Sequence, residues 1–442
     1  MPLLRHPDSL PRRHLPDIVC STSRSSWGFT VLVVHAADIH LDSPLRGLGR
    51  IGEDHAHEIR RSTRLALVNL VSMVLDKKAD LLVIAGDLYD GSWHDFGTGQ
   101  FFIQQMVRLA DEGVPVVIAS GNHDAASQIT RALTLPEGVH LLSTDQPQSI
   151  RFDDLGAVVH GQGYAIRDVQ ENLAASYPQR IPGLINIGVL HTAATGSPDH
   201  DTYAPCSPAD LQALRYDYLA LGHIHQRHAV AQGEFPAWFS GNLQGRNPRE
   251  TGAKGALLVE INPGSPVVPT LEPVDVARWH RIEVDASSMV GTEELALAAR
   301  DKMREAVREA HGRTVIIRVD VTGTTKLAAH LLDDEWLHHE MTSIATQVGA
   351  VLEKAKARVR PPAPPDPEAQ RMRQLVGEAA ADLAADETRA QTLLKQLDRS
   401  IRDIARGSDE RGQLDLLDSA VVRDLLDQAR DGLDARLAAR EA

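Results

Sequence analysis

Five short polar blocks follow one another along the chain, each directly after an apolar run, and this ordering constrains the fold more than any other feature. Asp38-Ile39-His40 follows Phe29 to Val34, Gly86-Asp87-Leu88-Tyr89-Asp90 follows Leu81 to Ala85, and Gly121-Asn122-His123-Asp124 follows Val114 to Ala119. His191 follows Ile185 to Leu190, and Gly222-His223-Ile224-His225 follows Tyr218 to Leu221. Short apolar runs rich in Val, Ile and Leu read as buried strands. Carboxylate, amide and imidazole groups therefore gather where the chain leaves a sheet. In open α/β sheets that edge is where sites form, because its loops can be polar while the strands stay fixed.

From Phe29 to about Ile261 the strands alternate with helical stretches such as Glu53 to Leu75 and Gly99 to Asp111, the pattern of an α/β layered domain. Ile150 to Gly161 reads as a hairpin, and Ala237 to Ile261 as two strands around Asn242-Leu243-Gln244-Gly245. A chain of 442 residues is long for one domain. The Pro- and Gly-punctuated stretch 263–273 separates residues 29–262 from a small α/β unit at 274–359. That unit reads as strand Arg281 to Val284, helix Thr292 to Ala310, strand Thr314 to Val321 and a helical stretch Thr325 to Asp333. Residues 360–367 form a stiff Pro-rich linker. In residues 368–442, Leu375, Ala379, Leu383, Leu394, Leu397, Ile401 and Ile404 recur at helical spacing, as do Leu417, Val421, Leu425 and Leu433. These two amphipathic helices either pack back on their own domain or dock a partner helix. Residues 1–28, rich in Arg and Ser and without an apolar signal-peptide core, read as a disordered extension, or as the result of a start nearer Val31.

A formal net charge of −14 argues against a generally basic nucleic-acid coat. It leaves nucleic acid open as a substrate, since bound cations offset acidic ligands locally. Arg46, Arg50, Arg60, Arg61, Arg64, Arg246, Arg249 and Lys254 near the blocks offer a basic rim. Cys20 and Cys206 have no paired spacing, which fits a reducing cytoplasm, and no apolar run is long enough to span a membrane.

Hard cations want oxygen, whereas manganese, iron and zinc also accept imidazole, so a set of Asp, Asn and His points to the latter group. Two metals are implied, and Asp87, central in the order and at the end of the most apolar strand, is the natural bridge. Two ions about 4 Å apart hold a hydroxide between them and polarise a phosphoryl group.

The pattern D-x-H, G-D-x-x-D/H, G-N-H-D/E, H and G-H-x-H resembles the calcineurin-like metallophosphoesterase superfamily and is met in full. The resemblance implies a four-layer α/β/β/α sandwich carrying a small α/β capping domain and a helical C-terminal tail. By position, Asp38, His40, Asp87 and His225 would hold one metal, and Asp87, Asn122, His191 and His223 the other. His123 would contact the scissile phosphate and protonate the leaving oxygen, with Asp124 orienting its ring. Asp38 to Asp42, the added α/β unit and the tail look like the SbcD-type DNA repair nucleases. The run Gly241-Asn242-Leu243-Gln244-Gly245-Arg246 and the segment Gly86 to Gly91 look closest to the YhaO-like branch. That family implies two divalent ions, Mn2+ or alternatively Fe, Zn or Co, together with DNA as substrate and a homodimer. It also implies an SMC-type coiled-coil ATPase docked through the C-terminal helices, and no membrane. Members of the nuclease family usually carry His where Asp90 stands, so here a donor near the phosphate is replaced by a negative charge.

Other residues carry weaker readings. Asp90, Asn242 and Gln244 are candidates for substrate contact, and Asp42 is either a site-shaping group or a turn carboxylate. His35 alternates into a strand as a core histidine, His55, His57, His94, His338 and His339 read as solvent-facing, and His160 and His228 match no motif position. A phosphodiesterase for small substrates and a non-catalytic scaffold remain as alternatives to a DNA nuclease. A protein phosphatase fits less well, because Asp90-Gly91-Ser92 lacks the Asp-Arg-Gly continuation.

Overall fold

The computed structural model describes residues 30–43, 61–90, 96–125, 134–194, 203–362, 367–385, 429–430 and 432–433. The N-terminal extension, Arg46, Arg50, Arg60, His55, His57, His94 and most of the second tail helix lie outside them.

The first sheet is built on β1 (Val31–Ala36), β2 (Leu81–Ala85), β3 (Val116–Ala119) and β4 (Val139–Leu141). The second contains β5 (Gln148–Phe152), β6 (Ala157–Gly161), β7 (Ile185–His191), β8 (Tyr218–Gly222), β9 (His228–Ala231) and β10 (Ala237–Phe239). The chain then returns to the first sheet through β11 (Gly255–Ile261) and β12 (Thr270–Pro273). The strand orders are β12-β11-β1-β2-β3-β4 and β5-β6-β7-β8-β10-β9. β1 to β4 run parallel, as do β6, β7, β8 and β10, so both sheets present their carboxyl ends at one edge.

Strand alternation explains the layering. Val31, Val33, Leu81, Val83, Val117 and Ala119 face the second sheet, where they meet Val159, Ile187, Val189 and Ala220. The intervening Val34, Leu82, Ile84 and Ile118 face α1 (Ser62–Asp76) and α2 (Phe96–Asp111) through Leu67, Leu70, Val74, Phe102 and Met106. The outer layer over the second sheet is thin. Among the described residues it consists mainly of the turn Leu173–Ser176 and the short α4 (Pro208–Ala213), which follows the single-turn α3 (Asn122–Ala125) in sequence.

His35 lies in the inter-sheet layer, fully buried, with Nδ1 2.9 Å from the Tyr218 hydroxyl and Nε2 3.2 Å from the Leu221 carbonyl. Burial pulls its pKa down to about 3, with the Leu221 carbonyl opposing the shift. Between pH 6.5 and 3 the unfolded chain binds a proton that the folded chain refuses, so acidification through that window removes stability. The loss amounts to about 5 kcal/mol in all. Urea unfolding of the parent and of His35→Asn at pH 7 and pH 4.5 should show a stability gap that shrinks at the lower pH. A gap independent of pH would refute this.

The capping unit is a parallel sheet in the order β13-β14-β15, from β13 (Ala277–Asp285), β14 (Thr314–Thr324) and β15 (Val351–Arg360). One face is covered by α5 (Thr292–Glu309), the short α6 (Ala328–Leu331) and α7 (Asp334–Val348). Leu295, Ala299 and Met303 from α5, with Leu337, Met341 and Ile344 from α7, pack on Val315, Val319 and Leu352. The sequence reading ends regular structure at Asp333 and so lacks α7 and β15. In β15 the outward Lys354, Lys356, Arg358 and Arg360 dilute the strand signal to that of a charged linker. The expected boundary also narrows, because Thr270–Pro273 pairs with β11. At the junction that remains, the buried Asp275 carboxylate holds Arg278 at 2.9 Å and Arg313 at 2.8 Å. After Pro362, α8 (Pro367–Ala385) begins the tail, with Met372 and Leu375 exposed. No helix among the described residues is long and apolar enough to cross a membrane.

Candidate metal centre

The loops leaving β1, β2 and β8 turn sharply through left-handed backbone at Asp38 (φ 50°), His40 (φ 44°), Asp87 (φ 53°) and His223 (φ 102°). Each such residue costs on the order of 1–3 kcal/mol. Pairing between the loops offsets part of that cost. Asp38 N donates to Gly86 O (3.0 Å), His40 N to Asp87 O (2.9 Å) and Leu41 N to Leu88 O (2.8 Å). Two glycines let the sheets approach. A Cβ on Gly86 would lie 2.2 Å from His191 Nδ1, and one on Gly222 would lie 1.7 Å from the Ala85 carbonyl oxygen.

The seven expected metal ligands converge on this edge. Asp87 Oδ2 lies 3.6 Å from His40 Nε2 and 3.6 Å from His191 Nε2, so the carboxylate stands between the two imidazoles. His40 Nε2 faces His225 Nε2 at 3.2 Å, and His191 Nε2 faces Asn122 Oδ1 at 2.9 Å. Asp38, His40 and His225 offer donor atoms within 4.8 Å of one another, and so do Asp38, Asp87 and His191. The Asp38 carboxylate also accepts the His223 backbone N–H, and the His223 ring stands edge-on to His191 at 5.2 Å.

This arrangement fits cations. His191 Nδ1 donates to the Ala85 carbonyl (2.9 Å), so its Nε2 turns a lone pair toward another acceptor, Asn122 Oδ1, with no proton between them. His225 Nδ1 donates to Glu250 (2.9 Å), which leaves the His225 Nε2 lone pair pointing at His40. Burial, reinforced by Asp87, raises the Asp38 pKa well above the carboxylate range, and burial raises Asp87 as well. Divalent cations would hold both carboxylates ionised.

Residues 31–227 match the family model of the calcineurin-like phosphoesterases, and residues 279–360 match that of the middle domain of the metallophosphoesterase YhaO. The metallophosphoesterase YhaO of Bacillus subtilis (strain 168) is 32% identical over 295 residues, covering 66% of this chain and 71% of the relative. The chain belongs to the calcineurin-like metallophosphoesterases, in the YhaO branch. The SbcD component of the nuclease SbcCD from the same organism is 24% identical over 269 residues, covering 52% of this chain and 66% of that one.

In this metallophosphoesterase His123 stands at the mouth of the site, 28% exposed, with Nδ1 2.9 Å from Asp90 Oδ1. Its backbone N–H donates to Asp87 Oδ1 (3.0 Å). Burial pulls the imidazole pKa down, but the Asp90 hydrogen bond and the charges of Asp87 and Asp90 outweigh it, and the net shift is upward. The same bond holds the Asp90 carboxyl below its usual range despite burial.

Three sequence-based roles change. Asp124 does not orient His123. At the start of α3 it turns inward, where its buried carboxylate accepts Gly121 N (3.0 Å) and Tyr89 N (3.1 Å) and pins two ligand loops together. Asp90, expected to meet substrate, takes over the ring-orienting role. Asn242 and Gln244 are buried and bonded within the protein, out of a substrate's reach. Asn242 Nδ2 donates to Glu250 Oε2 (2.8 Å), and Gln244 Oε1 accepts Val276 N (3.0 Å) and Ala277 N (3.2 Å) at the start of the capping unit.

Among the described residues the basic rim is reduced as well. Arg64 bonds the Asp42 carboxylate, a structural group also held by Thr98, while Lys254 is buried and donates to the His225 carbonyl (2.9 Å). Of the described members, only Arg61 and Arg249 are exposed. His160 is buried between Ser149 and Asn186, His228 and His339 are exposed, and His338 is half-buried. Sequence reasoning missed Glu250 altogether, and placed Arg246 only on the rim. Arg246 followed by an acid four residues later was the one available signal.

Proposed function

We propose that this protein is a metal-dependent DNA phosphodiesterase acting in repair in the cytoplasm, as a homodimer with an SMC-type ATPase that engages its C-terminal helices. The observation that carries the hydrolytic step is His123, partly exposed beside the donor cluster of His40 and Asp87, with Nδ1 held by Asp90. Asp38, His40, Asp87 and His225, and Asp87, Asn122, His191 and His223, would hold divalent ions, Mn2+ first among them, which would supply Lewis acidity and activate water. The protein's own contribution is then positional. Asp87 fixes the His123 backbone, Asp90 fixes its ring, and the imidazole delivers a proton to the departing oxygen.

Similarity to a component of a nuclease supports DNA as the substrate class. So does the capping unit, seated beside the site by the Trp279 indole N–H on the Gly245 carbonyl (3.0 Å). The partly exposed Asp90 carboxylate, unfavourable beside a polyanion, favours a second reading in which small phosphodiesters are cleaved. Labelled single- and double-stranded DNA should be cleaved with Mn2+, and cleavage should stop with chelator. Turnover confined to bis-p-nitrophenyl phosphate or cyclic nucleotides would sink the DNA reading and leave the second.

A further inference from the structure

We propose that Arg246 is a positioning residue that ties His123 to the metal ligand His225 through two carboxylates, Asp90 and Glu250. The inference rests on the metal-dependent hydrolysis proposed above. Two site histidines have a carboxylate oxygen 2.9 Å from Nδ1: Asp90 Oδ1 for His123 and Glu250 Oε1 for His225. Arg246, only 16% exposed, lies between these carboxylates. Its NH1 is 3.9 Å from Asp90 Oδ2 and 3.2 Å from Ser43 Oγ, and its NH2 is 3.7 Å from Glu250 Oε1 and 3.3 Å from His225 Nδ1.

Each carboxylate is also held by its second oxygen. Asp90 Oδ2 accepts the Ser43 hydroxyl (2.7 Å). Glu250 Oε2 accepts the Arg246 backbone N–H (2.7 Å) and Asn242 Nδ2 (2.8 Å), and Asn247 Nδ2 reaches Oε1 (2.9 Å). With both oxygens occupied, neither carboxylate can rotate without breaking a bond, so each fixes the plane of its imidazole. Two like charges so near one another and near Asp38 and Asp87 need a cation between them. Arg246 supplies it in a planar fork wide enough to face both, which a lysine ammonium cannot do. The orientation of a metal ligand and that of the proton donor thereby share one side chain.

The test uses the full chain, stripped of metal. Mn2+ binding is measured by calorimetry, kcat and KM on labelled DNA, whose leaving oxygen needs a proton, and on bis-p-nitrophenyl phosphate, and folding by thermal melting, for the parent, Arg246→Gln, Arg246→Lys and Glu250→Gln. Glu250→Gln should weaken Mn2+ binding about tenfold or more, the usual effect of losing a ligand's hydrogen-bond partner. Arg246→Gln should lower both Mn2+ affinity and kcat with KM little changed, and Arg246→Lys should recover only part of each. If Arg246→Gln fails to melt cooperatively, the lysine variant carries the comparison. A variant set that binds Mn2+ like the parent, or loses only KM as a substrate-contacting arginine would, overturns the proposal. A parent that binds no Mn2+ overturns instead the hydrolytic reading beneath it.

Discussion

Asp87→Asn should lower Mn2+-supported hydrolysis of bis-p-nitrophenyl phosphate by about a thousandfold, equivalent to roughly 4 kcal/mol of transition-state stabilisation. Asp87 Oδ2 is the carboxylate oxygen placed 3.6 Å from both His40 Nε2 and His191 Nε2, and an amide oxygen is a far weaker bridge between two cations. Metal content measured by elemental analysis should fall with the rate. Folding should not suffer. In the metal-free chain burial opposes ionisation of the Asp87 carboxylate, whose charge also raises the Asp38 pKa, and the substituted side chain keeps an oxygen to accept the His123 backbone N–H. The metal-free variant is therefore expected to melt at or above the parent's temperature. Turnover within tenfold of the parent would sink the bridging role.

His123→Ala should reduce DNA cleavage by a factor of about 100 to 10,000, the range spanned by loss of a positioned general acid. The loss on bis-p-nitrophenyl phosphate should be smaller, because p-nitrophenolate departs without protonation. Metal content decides between two roles that the geometry allows. His123 lies within donor range of His40 and Asp87 as well as at the mouth, so a variant that loses metal along with activity would make it a ligand. A variant that keeps metal and loses rate would make it the proton donor. Stability should change little, since the ring is 28% exposed and its main side-chain partner, Asp90, retains the Ser43 hydroxyl and the nearby Arg246.

What could be read from the sequence was whatever depends on local order. Gly222-His223-Ile224-His225 is legible because its glycine must pass close to the Ala85 carbonyl and the two histidines must then face one way off a strand end. The alternation in β1 placed His35 correctly in the interior. The exchange of roles between Asp90 and Asp124 was not legible. It depends on the left-handed turn at Asp87, which aims Asp90 at the His123 ring while the start of α3 directs Asp124 at backbone amides. Glu250 escaped for a different reason. It reaches His225 from 25 residues away, past β9 and β10, from an irregular stretch with no hydrophobic period of its own. Gln244 misled because an amide in a glycine-flanked loop reads as ligand-facing, whereas here it completes the hydrogen bonds of the strand that opens the capping unit.

Asp38, His40, Asp87 and Asn122 leave the first sheet, while His191, His223 and His225 leave the second. A divalent ion bound among them is thus a crosslink between two halves of a sandwich that are otherwise joined at this edge by a few hydrogen bonds and ring contacts. Because these ligands come together only in the folded chain, an ion bound there would stabilise the folded state by mass action. Withdrawing the metal does more than silence the chemistry. It should also lower the stability of the seam between the sheets, leaving the apolar layer of Val33, Val83, Val117, Ile187 and Val189 to hold them, and faster limited proteolysis with chelator would show it.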